Sequence, residues 1–148
     1  MQNTQEILAR GRIQSLLADY WRRVDGTTDA PVDALFAEDA QLVMGTMQLH
    51  GRDAIAAFYE QRALREAAAR RTTRHLATNL SLAFVDAHRV RAYATVQVFS
   101  GQGELPLPSR PAATVADIED LLHEVSPGTW RITHRRYRLV FSDLAPAA

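Results

Sequence analysis

The chain has 148 residues, 47% of them hydrophobic and 23% charged, and its formal net charge is zero. That is one domain of ordinary globular composition, long enough to bury a core, and a pI of about 7.0 argues against a basic nucleic-acid footprint. There is no Cys, and all 17 basic residues are Arg, which excludes disulfides, thiolate nucleophiles and ligands, Schiff-base lysines and a phosphate-loop lysine.

The Lys-free, Ala- and Arg-rich composition suggests a GC-rich bacterial source. The opening MQNTQEILARGR is polar and lacks the apolar stretch of a secretory signal. No apolar run approaches the ~20 residues of a membrane span, so a cytoplasmic protein is expected.

Residues 4–24 read as a helix, with Ile13, Leu16, Leu17, Tyr20, Trp21 and Val24 recurring on one stripe. Thr4 is the expected N-cap, and Asp25-Gly26 carries the stop signal. Asp29-Ala30-Pro31 opens a short second helix whose core residues are Leu35 and Phe36. Residues 41–44 and 47–50 form a small hairpin around Gly45-Thr46. A third helix covers residues 53–69, with Ile55, Phe58, Tyr59 and Leu64 on its apolar face. From Thr72 the period changes from 3.6 to 2. Residues 73–85 and 89–100 are two long strands joined at Asp86-Ala87-His88. Residues 101–111 hold two Gly and three Pro and read as a loop, a candidate mobile rim. Residues 112–125 and 129–141 form a second long hairpin around Pro127-Gly128, and the tail from Ser142 is expected to fray. Helices first and hairpins after them make an α+β domain, not a doubly wound parallel sheet.

This order resembles the nuclear transport factor 2-like superfamily, in particular its SnoaL-like branch. The segments carrying the resemblance are YWRRVDG, LFAEDAQLV, HGRDAIAAFYEQR, RTTRHLATNLSL and TWRITHRRYRLVF. It implies three N-terminal helices packed in a strongly curved, mostly antiparallel sheet, a cystatin-like cone around helix 1 with a closed cavity. It also implies a homodimer through the outer face of the sheet. Members of the scytalone and bile-acid dehydratase type place a His on the first long strand, an Asp at the end of helix 1 and a Tyr nearby. These fall at His75, Asp25 and Tyr20. An Arg on the last strand of the bile-acid type falls at Arg138. The carboxylate which that type carries on the second long strand is missing, since Val96, Gln97 and Val98 stand there.

The residue types suit the removal of a weakly acidic C–H proton. His titrates near neutrality, at ~6.5 when unperturbed, and suits reversible proton transfer. A carboxylate on one ring nitrogen fixes the tautomer and stabilises imidazolium. Tyr20 is placed to donate to an oxyanion, and Arg138 to hold a substrate carboxylate or carbonyl as a planar fork. Trp21, Phe58, Tyr93 and Gln97 are the expected pocket walls, with Leu76 or Ala77. Each residue also has a plain reading. Asp25 fits a helix stop, His75 a satisfied core histidine, and Tyr20 and Trp21 the apolar stripe. The last strand carries Arg131, Arg135, Arg136 and Arg138, which cannot all face one cavity. Strict alternation puts His134, Arg136 and Arg138 with Trp130 and Ile132, unless a bulge intervenes.

His50, His88, His123 and His134 are dispersed and form no metal motif, so no metal and no cofactor are expected. Asp120 is a lesser candidate for an acid in the cavity. The expected function is a cofactor-independent lyase or isomerase acting on a small, largely apolar, cyclic ligand, with no nucleic-acid or membrane partner. Two alternatives stand beside it. One is a non-catalytic ligand-binding protein. The other is a structural subunit like the small subunits of ring-hydroxylating dioxygenases.

Overall fold

The computed structural model describes residues 4–143. Among them are two α-helices, one short 3-10 turn and six strands, α1 (Thr4–Val24), the turn Asp33–Leu35, β1 (Phe36–Met44), β2 (Met47–His50), α2 (Arg52–Ala68), β3 (Arg71–Asp86), β4 (Arg89–Gln102), β5 (Thr114–Ser126) and β6 (Thr129–Ser142). The strands make one sheet in the order β2-β1-β6-β5-β4-β3. Every neighbouring pair is antiparallel except β1 and β6, which run parallel. The sheet is open, with β2 and β3 as its edges, so the expected closed cone is not formed.

The expected second helix is a correction. Only the 3-10 turn at Asp33–Leu35 follows Pro31, because the chain enters β1 at Phe36 and pairs with β6. Phe36, expected in that helix, instead begins β1 and is fully buried beside Ile132 of β6. Thr4 already lies within the helix rather than capping it. Leu64, placed on the apolar face of the third helix, is exposed, and that face ends at Tyr59. Ser142 belongs to β6, and the Asp143 N–H donates to the Ala113 carbonyl, so fraying does not begin at Ser142. The rest of the expected tail lies outside the described residues.

The inner face of the sheet holds the core. On β4, Val90, Ala92 and Val96 point inward, and on β5 Ala116, Ile118 and Leu122 do the same. The stripe of α1, Ile13, Leu17, Tyr20, Trp21 and Val24, is buried in the same cluster. Two bulges then reset the alternation. In β3, Asn79 adopts φ +57°, a left-handed geometry that Asn tolerates, and the register shifts between Thr78 and Ser81. Thr73 and His75 therefore face inward before the bulge, and Leu82 and Phe84 after it. In β6 the register shifts opposite Leu121 and Leu122, with Thr133 as the extra residue, and its hydroxyl donates to the Leu121 carbonyl. Trp130 and Ile132 face inward before this bulge, and Arg135 and Tyr137 after it.

Candidate active site

Asp25 is positioned by the end of α1. Gly26 takes φ +68°, and the Gly26 and Thr27 amides bond back to the Arg23 and Arg22 carbonyls, the paired closure of a Schellman turn. That closure leaves Asp25 at the helix end with its carboxylate against β3. His75 answers it from the inner face of β3. His75 Nδ1 lies 2.5 Å from Asp25 Oδ1, and the His75 backbone N–H donates to Oδ2 at 2.8 Å. Thr73 Oγ1 donates to Oδ1 at 2.9 Å. The two side chains of the pair are only 9% and 5% exposed. Burial acts to raise the Asp25 pKa, but the hydrogen bonds and charge of His75 and the hydroxyl of Thr73 outweigh it and hold the carboxyl below its usual range. With Nδ1 taken by Asp25, Nε2 is the nitrogen available to exchange a proton with a ligand.

From His75 a continuous set of contacts runs into the core. Trp21 stacks on the imidazole with ring centroids 4.7 Å apart. Tyr20 meets Trp21 edge-on, and its hydroxyl is in hydrogen-bond contact with that of Tyr59 from α2. Burial, and then the neighbouring Tyr20, push the Tyr59 pKa well above the ordinary phenol value, so Tyr59 keeps its proton and stays a hydrogen-bond donor. The Arg135 guanidinium lies 3.8 Å over the Tyr20 ring. It is paired side-on with Asp120 of β5 at 2.6 and 2.7 Å, with both residues no more than 3% exposed. Burial opposes its charge, but the Asp120 carboxylate more than compensates and drives the Arg135 pKa still higher. Arg135 Nη1 is buried without a hydrogen-bond partner.

The expected site residues therefore divide. Tyr20, Trp21, Asp25 and His75 come together. Phe58 is half-buried against Tyr59 on α2. Arg138 is on the outer face, its side chain 75% exposed and paired with Asp117, because the Thr133 bulge reverses the facing of the last strand and turns Arg135 inward instead. Tyr93 and Gln97 are also outside, since on β4 the even-numbered residues fill the core. Leu76 is 52% exposed on the same outer face. Asp120, the lesser candidate for a cavity acid, is on β5 and is committed to Arg135. Tyr59, Thr73 and Arg135 were not singled out from the sequence. Only the closeness of Thr73 to His75 on one strand face, and the run of arginines in the last strand, hinted at them.

An open cleft of about 320 Å³ lies at this end of α1, bordered by Asp25, Tyr59, Arg62 and Thr73 with the 28–33 loop. It stands where a closed apolar cavity was expected, and Trp21 covers one face of the His75 ring. A larger cleft, about 770 Å³, sits at the opposite end of α1 between its first turns and the β3–β4 and β5–β6 turns, and none of the Asp25–His75 cluster lines it. Among the described residues no group of three His, Asp or Glu side chains is arranged to hold a metal ion, and no helix is long and apolar enough to cross a membrane.

The fold matches solved structures over nearly the whole chain. A candidate scytalone dehydratase from Novosphingobium aromaticivorans superposes with a TM-score of 0.77 at 21% identity, over 97% of this chain and 93% of its own. ActVI-ORFA from Streptomyces coelicolor gives 0.75 at 18% identity, over 88% of this chain and 96% of its own. A hexachlorocyclohexane dehydrochlorinase, LinA type 2, gives 0.75 at 18% identity, over 97% and 93%. No curated protein matches the sequence. The SnoaL-like domain family matches residues 5–136, almost the entire described fold, and the chain belongs to that family.

Proposed function

We propose that this protein is a cofactor-independent lyase or isomerase that removes a weakly acidic C–H proton from a small, largely apolar, cyclic substrate. The observation that carries this reading is the His75–Asp25 pair, 2.5 Å apart and almost wholly buried, with Asp25 lining a cleft. A neutral imidazole held this way has its proton on Nδ1 and its lone pair on Nε2. It takes the substrate proton, and the resulting imidazolium is stabilised by Asp25. The Tyr20–Tyr59 hydroxyl pair is the oxyanion donor, since Tyr59 stays protonated beside the cleft. Arg135, over the Tyr20 ring, adds positive charge where negative charge develops. Departure of halide, or of the hydroxyl as water once it takes the proton held on His75, completes an elimination, and return of that proton elsewhere on the substrate completes an isomerisation. The related structures described as a dehydratase and a dehydrochlorinase agree with the first outcome.

The test is turnover of a panel of β-hydroxy and β-halo cyclic compounds by wild type and by His75→Ala. The variant is expected to lose turnover while its melting temperature stays within a few degrees. Equal activity in the variant removes His75 from the mechanism. The reading includes a homodimer through the outer face of the sheet, where Leu76, Gln97, Val115 and Phe141 stand in one row across four strands. Sedimentation equilibrium giving a concentration-independent monomer mass would contradict that part.

A further inference from the structure

The Asp25 carboxylate has a third donor besides the two that His75 supplies. Thr73, 8% exposed, gives its hydroxyl proton to Oδ1, the same oxygen that His75 Nδ1 meets. A hydroxyl has one proton and two lone pairs. Arg62 of α2 decides where that proton goes. Its Nη2 donates to Thr73 Oγ1 at 3.3 Å, and a guanidinium cannot accept, so the hydroxyl proton is directed to Asp25. The same guanidinium donates through Nη1 to the Val24 carbonyl at 2.8 Å, the last carbonyl of α1, which has no amide partner one turn on. Arg62 thus holds Asp25 twice, by the backbone just before it and by the hydroxyl bonded to its carboxylate.

We propose that Arg62 and Thr73 are positioning residues of the proton-transfer pair, a directed Arg62→Thr73→Asp25 relay that fixes the carboxylate and limits its basicity toward His75. The proposal rests on the reading of His75 as the base. Two donors on Oδ1 share its negative charge. The Asp25–His75 proton stays on Nδ1, and the carboxylate stabilises the imidazolium that forms. The charged and titratable groups facing the carboxylate are Arg62 from α2 and His75 from β3. Nearby, Arg23 is held by Asp19, and Glu66 and Arg71 stand 3.8 Å apart. Asp29, Asp33, Glu60 and Tyr59 border the same cleft.

The experiment follows the His75 ring resonances against pH by NMR in the full chain, in wild type and in Thr73→Val, Thr73→Ser and Arg62→Met. In Thr73→Val, Oδ1 loses one donor and binds imidazolium more tightly, so the His75 titration moves up by about half a pH. Arg62→Met, which leaves Thr73 in place and removes a cation, moves it in the same direction. Thr73→Ser restores the wild-type curve. The acid limb of kcat/KM moves with the resonance. A purely structural role lowers the melting temperature and leaves the titration where it was. An unchanged or downward titration in Thr73→Val and Arg62→Met overturns the relay. Because the ring titration needs no substrate, it decides the relay separately from the catalytic reading tested by His75→Ala.

Discussion

Replacing Asp120 with Asn is the sharpest probe of the interior. The side chain keeps its shape, so almost no cavity is made, and only the charge is lost. Arg135 is then a guanidinium 2% exposed, with its two strong bonds to Asp120 weakened and Nη1 already without a partner. It cannot escape by losing its proton, because a guanidinium stays protonated throughout the working pH range. Removing one member of a buried ion pair costs about 3–5 kcal/mol. The Tyr20 ring, 3.8 Å below the guanidinium, offsets up to about 2 kcal/mol of the exposed charge, which places the expected loss near 3 kcal/mol. For a domain of this size that is a fall in melting temperature of roughly 6–12 °C, and a urea midpoint lower by on the order of 1–2 M. Circular dichroism during thermal and urea unfolding reads both. The double variant Asp120→Leu with Arg135→Met is expected to recover most of the stability, since matched apolar pairs often replace buried ion pairs at little cost. A single Asp120→Asn loss below about 1 kcal/mol would show that Arg135 reaches another acceptor or water, and the argument for a strongly held interior cation would fail.

Three further outcomes follow from the same geometry. Tyr59→Phe removes the oxyanion donor and is expected to lower kcat about 100-fold with little change in KM, so an unchanged kcat in steady-state assays would strike Tyr59 from the site. Arg138→Ala is expected to leave turnover intact and stability within about 0.5 kcal/mol, because its pair with Asp117 is solvent-exposed; a tenfold loss of turnover would restore Arg138 as a substrate anchor. The Asp25 pKa is depressed in the folded state, so its contribution to stability is complete above the ordinary carboxylate pKa and is lost as pH falls through the depressed value. Urea unfolding from pH 2 to 6 should therefore lose stability below about pH 4, and Asp25→Asn should flatten part of that slope.

The elements were legible because their periods differ. The stripe from Ile13 to Val24 and the long alternating strands each gave the right element within a few residues. The segment from Pro31 to Phe36 failed because a short apolar run looks alike as a helical turn and as a strand start, and only pairing with β6 decides between them. Asp25 and His75 were legible as a pair only through the resemblance to the dehydratases, since each alone also fits a plain structural role. The arginine was not, because facing in β6 depends on one extra residue at Thr133. A bulge is a property of two strands together, and neither strand alone announces it. Tyr93 and Gln97 were misplaced for a related reason. Both faces of β4 carry apolar residues, so its composition did not say which face was buried. Thr73 and Tyr59 matter through the hydrogen bonds they make with partners far along the chain.

The place of β6 in the sheet bears on how the chain folds. This strand comes after the other five in chain order, yet it lies between β1 and β5 and supplies the only parallel pairing among the described residues. Its contacts with β1 span most of the chain, for example from Phe36 to Ile132, and such loops must close before those contacts stabilise anything. The β3–β4 hairpin and its contacts with β5 can form early from neighbouring segments. The inner edges of β1 and β5 stay unpaired until β6 emerges, and a nascent chain halted before Trp130 exposes both of them. The domain is therefore expected to fold late and cooperatively, with its rate governed by non-local closure. Substitutions that weaken β6 should slow refolding and favour aggregation of the incomplete sheet, even where the finished structure tolerates them.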